Sequence, residues 1–225
     1  MHGREIAVAV PHVSLPAAKA SLGRASVPVL AAQHVSWAEE GPMTGETAPS
    51  MLLELGAGMC LVGHSERRIH LGETDAMVAK KITALQKAGI QPVVCVGETE
   101  AQKKKGRAEA VKAVRTQVQS ALAAAQWNGS VPALVFAYEP VWAIGSGKAC
   151  PPQEAKDMHE VIRETLTKKL GAEVAQGVHI VYGGSVDPRN VADYLSTTSI
   201  DGVLVGSASL DPRVFGMLCR AASTA

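Results

Sequence analysis

No two of the four cysteines form a Cys-x-x-Cys pair: Cys60, Cys95, Cys150 and Cys219 are scattered along 225 residues. That spacing argues against a disulfide framework and fits reduced thiols in a cytosolic protein. No apolar run approaches the roughly 20 residues of a membrane span. Pro11 and His12 arrive too soon for a signal-peptide core. Charge of one sign is also missing, since 22 Lys and Arg against 21 Asp and Glu leave a net charge of +1. A nucleic-acid surface needs a basic stripe and is excluded on that ground. A small anion is not excluded, because local backbone N–H groups can hold it. There is no linker, low-complexity tract or convincing short repeat, and the Lys103-Lys104-Lys105 run reads as a solvated face. The expectation is one soluble, cytoplasmic domain over residues 1–225.

What the chain does have is core material: 47% of its residues are hydrophobic and the mean hydropathy is +0.10. Short β-branched, apolar runs alternate with longer amphipathic stretches. The runs predict strands at Glu5–Val10, Val27–Gln33, Met59–Gly63, Pro92–Val96, Ala133–Tyr138, Val178–Tyr182 and Gly202–Val205. Helices are expected at Thr74–Ala88, Ala108–Ala125, Gln153–Leu170 and Pro188–Leu195, among others. Continuous apolar strands suit a parallel sheet covered on both faces, and alternation of strand and helix implies a parallel α/β fold. A doubly wound sheet is the rival architecture on this pattern. No Gly-x-Gly-x-x-Gly follows the first strand, however, and polar, Gly-rich residues cluster after many different strands. That distribution favours a barrel whose site collects the loops at the strand C-termini.

Three kinds of segment carry chemistry. In AYEPVWAIGSGK (Ala137–Lys148), a buried strand delivers Glu139 at its end, Pro-Val-Trp stiffens the exit and a Gly-Ser-Gly run follows. An acid so placed suits a general base beneath a closing lid; the alternative is a solvated Glu with turn glycines. In LVGHSERR (Leu61–Arg68), His64 stands at another strand end that opens toward a helix. There it could polarise a carbonyl, or it could be a core or capping histidine. Glycine-rich loops at Gly145, at Ser185 in YGGSV and at Gly206-Ser207 in LVGSASL offer the close-approaching N–H groups that a phosphate needs. Singly, each could be an ordinary turn.

These strings resemble the triosephosphate isomerase family over essentially all of Glu5 to Ala222. The resemblance implies a (β/α) barrel that interconverts glyceraldehyde 3-phosphate and dihydroxyacetone phosphate through an enediolate. Glu139 would be the base and His64 the electrophile. Ser65 would cap the following turn and bond the base when the site is open. Glu66 would be a buried carboxylate that holds a catalytic lysine. Gly145, Ser185, Gly206 and Ser207 would bind phosphate, the last standing where the family usually has glycine. Cys95, in VVCVGE, matches a family cysteine near the base and is given no catalytic role. GPMTGE (Gly41–Glu46) resembles the family's interdigitating loop, so a homodimer or higher homo-oligomer is implied. Thr44 would insert beside the neighbour's site, and Arg67 would pair with Glu46 across the interface. His34 stands where asparagine is usual. No metal or organic cofactor is implied, and a triose phosphate is the only small-molecule partner.

The resemblance departs at the N-terminus. The family opens with a strand ending in an Asn-Trp-Lys-Met-Asn-Gly type motif, and no Asn-x-Lys occurs in the 225 residues. The expectation is therefore an incomplete barrel of about seven strands, lacking the first βα unit. Lys19, Lys80 and Lys148 have no evident way to substitute for the motif's lysine. A phosphate-binding relative without that lysine, or an isomerase of another small sugar phosphate, are the alternative readings.

Overall fold

The computed structural model describes residues 5–25, 27–39, 41–144 and 149–224. The chain divides into two compact units, one formed by residues 5–94 and 120–134, the other by 95–119 and 135 onward. The first holds β1 (Ala7–Val10), β2 (Val29–Ala32), β3 (Met59–Val62) and most of β4 (Gln91–Val96). Its strands pair in parallel, with Ala7 opposite Val29, Ala31 opposite Met59 and Met59 opposite Gln91. Helices α1 (Leu15–Leu22), α2 (Pro49–Glu54), α3 (Ser65–Leu71) and α4 (Asp75–Lys87) connect them. Leu30, Ala32, Cys60, Val62, Ile82, Leu85 and Val94 form its buried interior.

The second unit begins with the last two residues of β4 and holds β5 (Val135–Tyr138), β6 (Ile180–Tyr182) and β7 (Gly202–Val203). These are also parallel, with Tyr138 opposite Tyr182 and Tyr182 opposite Val203. Its helices are α5 (Glu100–Lys104), α6 (Arg107–Ala124, as far as Gln119), α7 (Pro152–Leu170), α8 (Ala172–Gln176), α9 (Val191–Leu195) and α10 (Pro212–Thr224). Phe136, Tyr138, Ile162, Leu166, Ile180 and Tyr182 are buried. Arg163 of α7 donates to Val178 O (2.7 Å) and pairs with Asp201, whose carboxylate accepts from Ile180 N (2.7 Å).

Strand neighbours follow chain order, β1 to β4 in the first unit and β5 to β7 in the second. A doubly wound sheet reverses its order at a switch point; neither unit does, so the rival architecture falls away. Seven strands are present among the described residues, the number the apolar runs predict. Several are shorter than expected. Pro28 has no N–H to give, and β2 starts only at Val29. The helix expected from Pro188 starts at Val191 instead. Asn190 turns its side chain back to accept from Asp187 N at 2.8 Å, a local bond that competes with a helical turn. No helix among the described residues is long and apolar enough to cross a membrane.

Candidate active site

In the first unit, β3 ends at Val62 and the chain turns through Gly63 (φ 72°) into α3. His64 is the residue that caps α3: its backbone is extended, and its Nδ1 accepts from Glu66 N at 3.3 Å. A backbone N–H can only donate, so Nδ1 is the accepting nitrogen in this bond and Nε2 is left to donate. The imidazole is thereby set as a donor through Nε2, as an electrophile requires. Ser65, the first residue of α3, is buried.

Glu66 differs from its expected role. Its side chain is 74% exposed, because the first turn of α3 directs it outward, so it is not a buried carboxylate here. The buried acid of this segment is Glu73, 5% exposed. It accepts from Gly63 N (2.9 Å) and Arg67 Nε (2.6 Å) and pairs with Lys81 Nζ (3.0 Å). Burial pushes the Glu73 carboxyl up. The Lys81 charge and the bonds from Arg67, Lys81 and Gly63 outweigh that and hold it below the usual range. Glu73 thus fixes the residue directly before His64, a role that sequence reasoning missed although the acid lies only nine positions on.

Arg67, expected to pair with Glu46 across an interface, also bonds Glu73 within its own chain. Within the chain Glu46 faces His34 Nε2 at 3.5 Å. His34 Nδ1 accepts from Lys81 Nζ at 3.2 Å, and its ring lies against His12 with centroids 5.9 Å apart. Burial, then the charges of Lys81 and Arg67, lower the His34 pKa to about 4, so the ring is neutral at pH 7. Thr44 lies exposed in the turn between Gly41 and Glu46. Of the lysines with no evident substitute role, Lys19 donates to Glu54 O (2.7 Å) and Lys80 lies over Trp37.

In the second unit, β5 delivers Glu139, 2% exposed. Its N–H donates to Val96 O at 2.8 Å. Two glycines make room for it. A Cβ on Gly97 would sit 1.7 Å from Glu139 O, and one on Gly183 would sit 2.9 Å from Glu139 Cγ. With its main chain against Gly97 and its side chain beside Gly183, a buried Glu139 has little freedom, which is the condition for holding a base against a reacting carbon.

The segments on either side of residues 145–148 are anchored. Glu98 accepts from Trp142 Nε1 (2.7 Å) and from Tyr138 Oη (3.1 Å), while the Lys103 ammonium lies 3.0 Å from the Trp142 ring centroid. Burial raises the Glu98 pKa, opposed by the Trp142 bond. Beyond Lys148, Cys150 N donates to Tyr182 Oη (3.2 Å) and Tyr194 Oη donates to Cys150 O (2.5 Å). The two tyrosine rings stack at 4.2 Å. Burial pushes the Cys150 thiol up to about 12, so it is no nucleophile. Gly145 and the residues up to Lys148 lie outside the described residues.

Ser185 Oγ donates to Ala143 O at 2.7 Å, tying the loop after β6 to the turn that follows β5. Gly206 and Ser207 are exposed, and Ser207 opens a single turn in which Ser209 N donates to Gly206 O at 2.9 Å. Space is open where a Cβ on Gly206 would lie. Cys95 is buried.

The family model described as triosephosphate isomerase matches residues 1–222. Three relatives, each named triosephosphate isomerase, are similar along most of the chain. That of Thermus thermophilus is 46% identical over 97% of this chain and 86% of its own length. The relative from Pseudomonas syringae pv. syringae is 49% identical over 82% and 72%. The one from Actinobacillus pleuropneumoniae serotype 3 is 43% identical over 99% and 86%.

Proposed function

We infer the following chemistry from the premise that the chain belongs to the triosephosphate isomerase family. The protein is an aldose–ketose isomerase that interconverts glyceraldehyde 3-phosphate and dihydroxyacetone phosphate. Glu139 is the base: its carboxylate takes a proton from the carbon next to the substrate carbonyl and returns it to the neighbouring carbon. His64 donates from Nε2–H to the carbonyl oxygen as the enediolate forms, and Ser65 assists at the start of α3. Gly145, Ser185, Gly206 and Ser207 hold the phosphate through N–H and hydroxyl groups. The anchored segments on both sides of the lid tip let the tip close and exclude water. The observation that carries this reading is the placement of Glu139, buried at a strand end between Gly97 and Gly183.

The lysine of the family's Asn-x-Lys motif belongs to the same proposal. It would neutralise the developing enediolate. A cation at developing charge is worth on the order of 10²–10³ in rate. We further propose one barrel domain, a cytoplasmic location and a homodimer formed through Thr44, Glu46 and Arg67. The exposed Ile69 and Leu71 of α3 support such an interface.

The test is turnover of glyceraldehyde 3-phosphate by wild type, Glu139→Ala and His64→Gln. Glu139→Ala should reduce kcat to background and His64→Gln by about 10²-fold or more. Turnover unchanged in Glu139→Ala removes the assignment.

A further inference from the structure

Gly97 lies just past the end of β4, and its main-chain polar groups are met by one side chain from α6. Gln117 Oε1 accepts from Gly97 N at 2.7 Å, and Gln117 Nε2 donates to Gly97 O at 3.1 Å. A carboxamide presents a donor and an acceptor in one plane, and so imitates the edge of a neighbouring strand. The residues flanking Gly97 carry the base. Val96 O accepts from Glu139 N (2.8 Å) and Glu98 O accepts from Val141 N (3.2 Å). Gly97 itself packs so closely on the Glu139 carbonyl that no side chain fits between them.

We propose that Gln117 is a positioning residue for proton transfer: it fixes the main chain of Gly97, and through it the main chain and carboxylate of Glu139. The inference rests on the reading of Glu139 as the base. Gln117 touches no reacting atom, and nothing in its twenty-residue separation from Gly97 marks it. Its effect is on alignment. On the other side of the base, Gly183 leaves no room for a side chain beside Glu139 Cγ, and a shift of the Gly97 rail moves the carboxylate relative to the substrate carbon. Misplacement by about 1 Å can cost about 10²-fold in rate.

The experiment compares wild type, Gln117→Leu, Gln117→Glu and Glu139→Ala, each checked for folding by circular dichroism and thermal melting. Gln117→Leu keeps the size and loses both bonds. Its kcat should fall about tenfold or more, while KM and the dissociation constant of 2-phosphoglycolate stay within about twofold, because the phosphate loops are untouched. Gln117→Glu supplies an acceptor to Gly97 N but, when ionised, sets a carboxylate against Gly97 O. When protonated it regains the donor, so its kcat relative to wild type should rise as pH falls. A folded Gln117→Leu with kcat within twofold of wild type, or one whose loss lies in KM alone, overturns the proposal. If Gln117→Leu does not fold, a flat pH ratio for Gln117→Glu overturns it. Glu139→Ala separates the two levels: full activity there removes the base itself. An inactive Glu139→Ala beside a fully active Gln117→Leu removes only the role of Gln117.

Discussion

Replacing Gly183 by alanine tests how closely the fold holds its base. The added Cβ would meet Glu139 Cγ at 2.9 Å, Tyr138 O at 3.4 Å and Leu204 Cδ2 at 3.6 Å. The latter two are ordinary van der Waals separations and ask for no movement. Only the contact with Glu139 must relax, by about half an ångström, and a side chain yields more readily than backbone. The hydrogen bond from Gly183 N to Tyr138 O (2.8 Å) is retained, so β5 and β6 stay paired. Overpacking of this kind costs about 1–3 kcal/mol, a fall in Tm of roughly 2–12 °C for a protein of this size. The catalytic cost should be larger in proportion. A carboxylate displaced by about half of the 1 Å that costs about 10²-fold loses about tenfold in kcat, with KM nearly unchanged. A coupled assay and a thermal melt measure both. Wild-type kcat in folded Gly183→Ala would refute the view that Gly183 fixes the base.

Other consequences concern charge and hydrogen bonding. Glu73→Gln leaves Lys81 and Arg67 without their buried carboxylate and should cost about 3–5 kcal/mol by urea unfolding. The Glu73 carboxyl is held below its usual range in the fold. Its stabilisation is therefore present at neutral pH and is lost as pH falls below the ordinary carboxylate range, and the variant should show a flatter acid limb. His159 is fully buried, donates from Nδ1 to Ser199 O at 3.0 Å, and is lowered to about 4, chiefly by burial. A depressed histidine stabilises the fold above its unfolded pKa of 6.5. About 3 kcal/mol should be lost as pH falls from 6.5 toward 4. His159→Asn should flatten that slope, and an unchanged slope would contradict the assignment. Ser185→Ala removes the hydroxyl bond to Ala143 O that holds the loop after β6 while keeping the backbone N–H, and should raise KM about fivefold, the worth of one hydrogen bond.

The strands were legible because parallel strands buried on both faces read as unbroken apolar runs, as VVCV and LVFAY do. Their ends were less so, since a single Pro28 or the turned-back side chain of Asn190 decides where regular pairing stops. Within the candidate site, Glu139 and His64 stood out because each closes a strand with a polar group before a distinctive loop. Glu66 misled: its neighbours in GHSERR are engaged, yet its own place in the first turn of α3 points it to solvent. The acid that is buried, Glu73, sits beyond the end of the helix. Gln117, Tyr182 and Tyr194 were illegible for a different reason. Their partners at Gly97 and Cys150 lie on other elements, and those contacts exist only once β4, β6, α6 and α9 have packed.

The central claim is that Glu139 moves the proton. Dihydroxyacetone phosphate incubated with the protein in deuterium oxide, followed by proton NMR, reads that step without waiting for product. The account predicts that wild type exchanges one of the two prochiral C1 protons and that Glu139→Ala exchanges none above background. Exchange at the wild-type rate in Glu139→Ala, or equal exchange of both C1 protons in wild type, would contradict it.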